Sequence, residues 1–267
     1  MDENETIETG AGAIGEGKQT NLVKTIVIAA VAAVVVAAIV LLGIFVIKPM
    51  AAYGKAGSLE KKGEYALAFE SFNRMGDYRD ARARALALQG KLVTARAEQE
   101  DITLGGVAWQ VLEVRDGKAL VISKDALEER PYNDELVNVT WETSSLRKYL
   151  NETFINNRFS GEEQARIQTT KVKNGVNPEN GSKNGKDTSD RIFLLSLEEA
   201  NLYFTDNVAR ACRYNGSGAY WWLRSSGAAM DGLYTAAIVL DDGSLGYTGT
   251  AVNWGRRYVR PAMWISL

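Results

Sequence analysis

A run of about 23 residues from Thr25 to Ile47 carries no charge and constrains this chain more than any other feature. A bilayer core of roughly 30 Å is crossed by about 20 helical residues. In hydrocarbon, a helix satisfies every backbone group within its own segment. Lys24 and Lys48 flank the run, where their ammonium groups reach the headgroups. A secretory signal would carry a shorter apolar stretch, about 7–15 residues, before a small-residue cleavage site. This run is longer and starts later, and no cysteine adjoins it to take a lipid anchor. Residues 25–47 are therefore read as one N-terminal transmembrane helix whose partner is the lipid bilayer. Ala29, Ala33 and Ala37 recur every four residues along it, a small-residue face that predicts weak self-association. Residues 1–24, with Asp2, Glu3, Glu5, Glu8 and Glu16 among glycines, are read as a disordered acidic tail.

The chain contains no histidine, which excludes Ser-His-Asp and Cys-His nucleophile activation, His-zinc sites and imidazole acid-base chemistry. Cys212 is the only cysteine, so no internal disulfide can form. The net charge is −2 and basic residues are interspersed with acidic ones, so no nucleic-acid partner is expected. No metal and no cofactor is expected either.

After Pro49 the residues 51–98 are rich in Ala, Leu, Lys, Arg and Glu, with Leu59, Ala66, Phe69, Phe72 and Met75 at helical spacing. Gly63-Glu64-Tyr65-Ala66 and Gly76-Asp77-Tyr78-Arg79-Asp80-Ala81 repeat a pattern in which a glycine closes one helix and an acidic residue opens the next. Two or three short antiparallel helices follow from it. From Ile102 the periodicity changes. Val107–Val114 and Ala119–Ser123 read as strands joined by a turn at Asp116-Gly117. Helix starts are expected at Ser144 or Ser145, at Ser160 with Glu163, and at Ser196 with Glu199. Lys173–Asp190, dense in Asn, Gly, Lys and Ser, reads as an exposed loop, and Arg191–Leu195 as a strand. The last third is strand and turn, with Asp242-Gly243 between two strands. The fold class is α+β.

Residues 51–98 resemble a single tetratricopeptide-type unit, too short to build a peptide-binding groove and so expected as a helical stalk. Four ordered motifs carry a second resemblance: Trp141 through Asn151, Phe193-Leu194-Leu195-Ser196, Trp222-Leu223-Arg224-Ser225 and Val259-Arg260-Pro261-Ala262. Together they resemble a bacterial domain family of unknown function, covering residues 102–267. The resemblance implies a C-type-lectin-like fold related to formylglycine-generating enzymes and to the variable proteins of diversity-generating retroelements. The residues themselves first suggest structure: Trp221, Trp222 and Trp264 belong in the core or at its edge. Arg224 and Arg260 belong with a carboxylate or backbone carbonyls.

The resemblance implies that the last strands and loops form a binding face, here Ser225–Arg257. Its exposed candidates are Asp231, Tyr234, Asp241, Tyr247, Asn253, Trp254 and Arg257, aromatic and polar groups on turns that make effective contact surfaces. A non-catalytic module binding a protein or glycan ligand is the reading that follows. An uncharacterised envelope enzyme and a structural envelope protein are the alternatives: convergent carboxylates in a pocket would favour the enzyme, a flat aromatic surface the binder. Formylglycine-type chemistry does not carry over, because one cysteine cannot supply two thiolate ligands. Ser145-Leu146-Arg147-Lys148 matches an S-x-x-K string without its K-T-G partner, and helix capping accounts for it better. Asn177-Pro178-Glu179-Asn180 and Val252-Asn253-Trp254 lack the form of lectin calcium strings. Lys18 and Lys24 precede the helix while Lys48, Lys55, Lys61 and Lys62 follow it, which by the positive-inside rule keeps the domain in the cytoplasm. The resemblance implies surface display, and the extracellular side is the reading adopted.

Overall fold

The computed structural model describes residues 16–97, 99–228 and 234–267, with the side chains of 16–25 and 93–97 left aside. The chain divides into two compact units, residues 1–55 and 56–267. In the first, helix α1 spans Glu16–Leu42. It begins inside the stretch expected to be a structureless tail. Once a long apolar helix is nucleated, adding residues at its end costs little, so residues 16–24 are corrected to helix; residues 1–15 of that expectation lie outside the described residues. A π-type turn at Gly43–Ile47 follows, closed by the Lys48 N–H on the Gly43 carbonyl. Pro49 accounts for it: the ring clashes with the carbonyl four residues back, and widening the turn relieves the clash. Helix α2, Lys48–Lys61, completes this helical stretch. It is long and apolar enough to cross a membrane, and its large apolar side chains, Val34 and Phe45 among them, are exposed.

In the second unit, helices α3 (Tyr65–Asn73) and α4 (Ala81–Ala97) pack through Phe69, Phe72, Ala81, Ala85 and Leu88. Gly63 and Gly76 take left-handed φ values of 77° and 55°, ending their helices as the glycine pattern requires. Glu64 stands at the N-cap but its side chain makes no capping bond. Arg84 lies over the Phe72 ring at 4.3 Å and its Nε donates to Glu60 Oε2 at 3.0 Å.

Strands β1 (Ile102–Leu104), β2 (Val107–Arg115) and β3 (Lys118–Ser123) form an antiparallel meander. Asp116 and Gly117 turn it, both at positive φ, as a two-residue hairpin demands. Then come β4 (Glu128–Glu129), α5 (Ser145–Tyr149), α6 (Ile155–Arg158) and α7 (Gly161–Arg166). Ser144 caps α5, and Ser160 with Glu163 makes the reciprocal capping box of α7. Short strands β5 (Ile167–Gln168), β6 (Thr170–Val172) and β7 (Thr188–Asp190) precede α8 (Leu197–Tyr203), boxed by Ser196 and Glu199, and α9 (Asn207–Arg210). The chain ends in β8 (Arg213–Tyr214), β9 (Ser217–Gly218), β10 (Trp221–Ser226), β11 (Thr235–Val239), β12 (Leu245–Ala251), β13 (Tyr258–Val259) and β14 (Ala262–Ser266).

These strands build two five-stranded sheets, ordered β1-β2-β3-β14-β5 and β12-β11-β10-β13-β4. The last strand lies antiparallel to β3, so the end of the domain returns to its beginning. The chain crosses between sheets at Arg260-Pro261, and the buried Arg260 donates there to the carbonyls of Ser123, Arg210 and Lys124. Trp109, Trp141, Trp221 and Trp222 are fully buried. Helix α4 packs on β2 and α8, with Gln89 Nε2 donating to the Asn201 carbonyl at 2.8 Å. The helix pair is therefore a cover on the sheet domain and not a free-standing stalk.

Arg191–Leu195 is not a strand. The Asn151 carboxamide accepts from the N–H groups of Arg191 and Ile192 and donates to the Ile192 carbonyl, taking up groups that a ladder would need. Only Phe193 bridges, to Ala262.

Candidate functional site

The residues anticipated as one binding face divide between the two ends of the β10–β12 sheet. Tyr234 stands at the start of β11. Its carbonyl accepts from Val252 N–H at 2.9 Å, and the Val252 carbonyl accepts from Asn133 N–H at 2.8 Å. The following turn carries Asn253 and Trp254, tied by Trp254 N–H to the Ala251 carbonyl at 3.0 Å. Tyr234 and Trp254 are 38% and 49% exposed, and Leu136 and Val137 are exposed apolar residues of the loop that follows Asn133. Asn138, Thr140, Ser182, Ser226 and Tyr234 line a cavity of about 260 Å³ at this end.

Asp241 and Arg257 lie at the opposite end of β11, a five-residue strand roughly 17 Å long. There Tyr220 hydrogen-bonds Asp241 and lies under the Arg257 guanidinium at 4.8 Å, and that hydrogen bond, then the Asp241 charge, raises the phenol above its ordinary range. Asp242 accepts from the Ser244 N–H and hydroxyl, which fixes the hairpin turn and holds its own carboxyl below the usual range. Tyr247 is half-buried on β12. Asp231 lies outside the described residues.

Lys173–Asp190, expected as an exposed loop, is built around three buried amides instead. Asn174 accepts from Arg224 Nε and donates to the Lys186 carbonyl; Asn177 donates to the carbonyls of Ser226 and Tyr247; Asn184 accepts from Ser226 N–H. These bonds tie the loop to β10 and β12. Asp190, also buried, accepts from Trp141 Nε1, Arg147 Nε and Thr188 Oγ1 at 2.9, 2.7 and 2.6 Å. The sequence signal was present but ambiguous, since Asn and Gly favour turns whether or not their amides are buried.

The structure also gathers Arg224, expected beside a carboxylate or backbone carbonyls, and the helix-capping Glu199 with acidic and basic residues that the sequence did not single out. Arg224, 2% exposed, donates to Glu199, to the carbonyls of Leu194 and Lys173 and to Asn174. Glu70 of α3 and Arg74 at its C-cap meet Glu198 and Glu199 of α8 at this junction. Burial, and then the Glu199 charge, push the Glu70 carboxyl up to about 7. A crevice of about 110 Å³ beside it is lined by Glu70, Glu113 and Glu199 with Lys171 and Arg115. Within it the Tyr203 hydroxyl donates to Glu113 at 2.6 Å, and burial raises the Glu113 carboxyl above its ordinary range. That volume is well below the roughly 300–1,000 Å³ of pockets that enclose small ligands.

Among the described residues, no group of three or more Cys, Asp or Glu side chains is placed to hold a metal ion. Ser145 Oγ accepts from Asp134 N–H, while Ser144 supplies the helix cap. Burial pushes the Cys212 thiol up to about 11, which disfavours the nucleophilic thiolate.

The four motifs form one connected frame. Asn151 holds Ile192, Phe193 bridges Ala262, Arg224 N–H donates to the Leu195 carbonyl, and Ser225 Oγ accepts from Leu197 N–H. No curated protein and no solved structure matches the chain. A family model described as a domain of unknown function (DUF6273) matches residues 116–267, and the chain belongs to that family.

Proposed function

We propose that this protein is a membrane-anchored, surface-displayed recognition module that binds a protein or glycan ligand without transforming it. Residues 25–47 span the bilayer in this reading, with weak self-association through Ala29, Ala33 and Ala37. The domain is C-type-lectin-like. Two features support that fold: the chain end pairs back onto β3, and a long excursion held largely by side-chain hydrogen bonds separates the two.

One observation carries the function. Tyr234 is a half-exposed aromatic at the rim of a small polar cavity, its carbonyl bonded to the Val252 N–H, and the half-exposed Trp254 stands on the turn that follows Val252. Rigid aromatic groups contribute contact area at little entropic cost. The enzyme alternative has the Glu70, Glu113 and Glu199 crevice in its favour, but its size suits a few waters rather than a substrate.

The test is a capture experiment with the full chain in detergent against surface extracts and a glycan array. Y234A/W254A should abolish captures made by the wild-type protein; an unchanged profile would overturn the reading. Protease treatment of intact cells tests display: the domain should be lost before lysis, and survival until lysis would place it inside.

A further inference from the structure

Helices α3 and α4 meet the sheet domain in different ways. Helix α4 packs on β2 and α8, its Leu88 and Leu92 side chains are buried, and Gln89 Nε2 ties it to the Asn201 carbonyl. Helix α3 instead borders the polar crevice of about 110 Å³, to which it brings Ala66, Leu67 and Glu70 and the domain brings Glu113, Lys171 and Glu199. Space of that size admits a few waters. Apolar burial on the α4 side is indifferent to pH, whereas ionisable groups make the contact on the α3 side.

The groups around Glu70 come from every element packed there. At the end of its own helix, Arg74 Nη2 lies 3.6 Å from the Glu70 carboxylate and 3.8 Å from that of Glu198, with the Arg74 side chain 59% exposed. Charge-assisted hydrogen bonds close to about 2.7–2.9 Å, so one exposed guanidinium is divided between two carboxylates. From α8 come Glu198 and Glu199, and from β10 comes Arg224, both of whose Nη atoms bond Glu199. From β2 come Glu113 and Arg115, which pair with each other at 3.5 Å, and Glu113 also accepts from Tyr203 of α8. Lys171 of β6 and the adjoining Lys173 are largely exposed and turn to Asp187. On α4, Arg84 and Lys91 turn to Glu60 of α2. The Glu70 carboxylate accepts no hydrogen bond among the described residues. A neutral Glu70 leaves Arg74 to Glu198 and Arg224 to Glu199. An ionised Glu70 adds a third carboxylate beside two like charges, with no donor of its own. Burial and then the Glu199 charge accordingly push its carboxyl up to about 7, and burial raises that of Glu198.

We propose that the contact of α3 with α8 is a proton-operated latch on the helical cover. With Glu70 neutral, α3 stays seated on α8. With Glu70 ionised, the end of α3 moves away from Glu198 and Glu199 and water enters the crevice, while α4 keeps its place on β2. A two-state contact of this kind needs only a charge change at its centre. The chain joins its apolar helix to the sheet domain through α3 and α4, so the latch lies on the path between them.

The experiment reads distances between pairs of spin labels by pulsed EPR, using the full chain in lipid nanodiscs diluted with unlabelled chain. N73C/T169C spans α3 and the strand edge beside β6, and L86C/V114C spans α4 and β2. All four positions are exposed, and the buried Cys212 stays unlabelled. Between about pH 6 and about pH 8 the N73C/T169C distance should lengthen reversibly, with its midpoint at about pH 7. The expected shift is at least about 3 Å, the diameter of the water that enters. E70Q keeps the shape of the side chain without its charge, so it should fold and hold the acid distance throughout. L86C/V114C should not change, which separates release of α3 from a general loss of stability. A constant N73C/T169C distance would overturn the proposal. So would the same lengthening in E70Q, which would assign it to another group, or a change of L86C/V114C in step, which would mean that the whole domain loosens.

Discussion

Arg224 and Glu199 meet at two points, Nη2 to Oε1 at 2.9 Å and Nη1 to Oε2, while the same Oε2 accepts from the N–H of Ser196 at the start of α8. One carboxylate therefore caps a helix and neutralises a buried guanidinium. Removing one member of a buried pair leaves the other charged without a partner, at a cost of about 3–5 kcal/mol. R224A and E199A should each lose stability of that order in chemical denaturation of the full chain. R224K should recover only part of it, because an ammonium cannot make the two-point contact. Near wild-type stability in R224A would show that the pair is dispensable.

Glu70 gives the junction a pH dependence. Its carboxyl is pushed up to about 7 in the folded protein from an ordinary 4.5, first by burial and then by the charge of Glu199, with Arg74 opposing. A carboxyl raised on folding keeps its proton where the unfolded chain has lost it. Its contribution to stability is fully present below the unfolded value and is lost as pH rises through about 7, at most about 3 kcal/mol in all. E70Q should be more stable than wild type at about pH 8 and should show a flatter decline between about pH 5 and pH 8. Urea titration across that window measures both, and parallel pH profiles for the two proteins would refute the assignment.

Two glycines of the Asn-rich loop separate backbone conformation from space. Gly181 and Gly185 have φ values of 73° and 83°, so any side chain is strained at either. A Cβ at Gly181 meets nothing within 4 Å, whereas at Gly185 it would collide with the Thr140 side chain. G185A should therefore destabilise more than G181A, by about 1–3 kcal/mol. Hydrogen exchange should localise the difference to the loop around residues 182–187. Equal effects would mean that the loop is free to move away from Thr140.

Tyr234 and Trp254 should be replaceable without loss of fold. Substitutions at half-exposed positions usually change stability by no more than about 0.5 kcal/mol, whereas truncating a fully buried tryptophan costs about 3–5. Y234A/W254A should unfold with the wild type, and W222A should not; thermal melts compare them directly. Equal destabilisation would mean that the two half-exposed aromatics belong to the core.

Cys212 should be inert in the folded protein. It is 5% exposed, and burial pushes its thiol up to about 11. Iodoacetamide at about pH 8 should label it only after denaturation. Labelling under native conditions at the rate of a free thiol would contradict this placement.

Local chemistry determined a good part of this protein. The uncharged run of residues 25–47 reads as helix because a helix satisfies every backbone group inside an apolar segment. Asp116-Gly117, Ser160 with Glu163, and Ser196 with Glu199 are short-range signals whose geometry closes within four residues, and each forms as its spacing requires. The side chains of Arg224 and Arg260 were likewise bound to find carboxylate or carbonyl partners, since a buried guanidinium has no cheaper state.

What only the tertiary structure decided is which distant groups those side chains meet. Asn151 converts an apolar run at Arg191–Leu195 from a strand into a pinned extended segment, and nothing near Leu194 in sequence reports an amide some forty positions away. Asn174, Asn177 and Asn184 look like solvent residues until β10 and β12 arrive to bury them. Asp241 and Tyr234 stand a strand's length apart because β11 separates them, although both lie within one short stretch of chain. The uncharged helix was legible because its cause is local. The cavities of the domain were not, because each is a gap between elements whose spacing is set by the packing of the whole core.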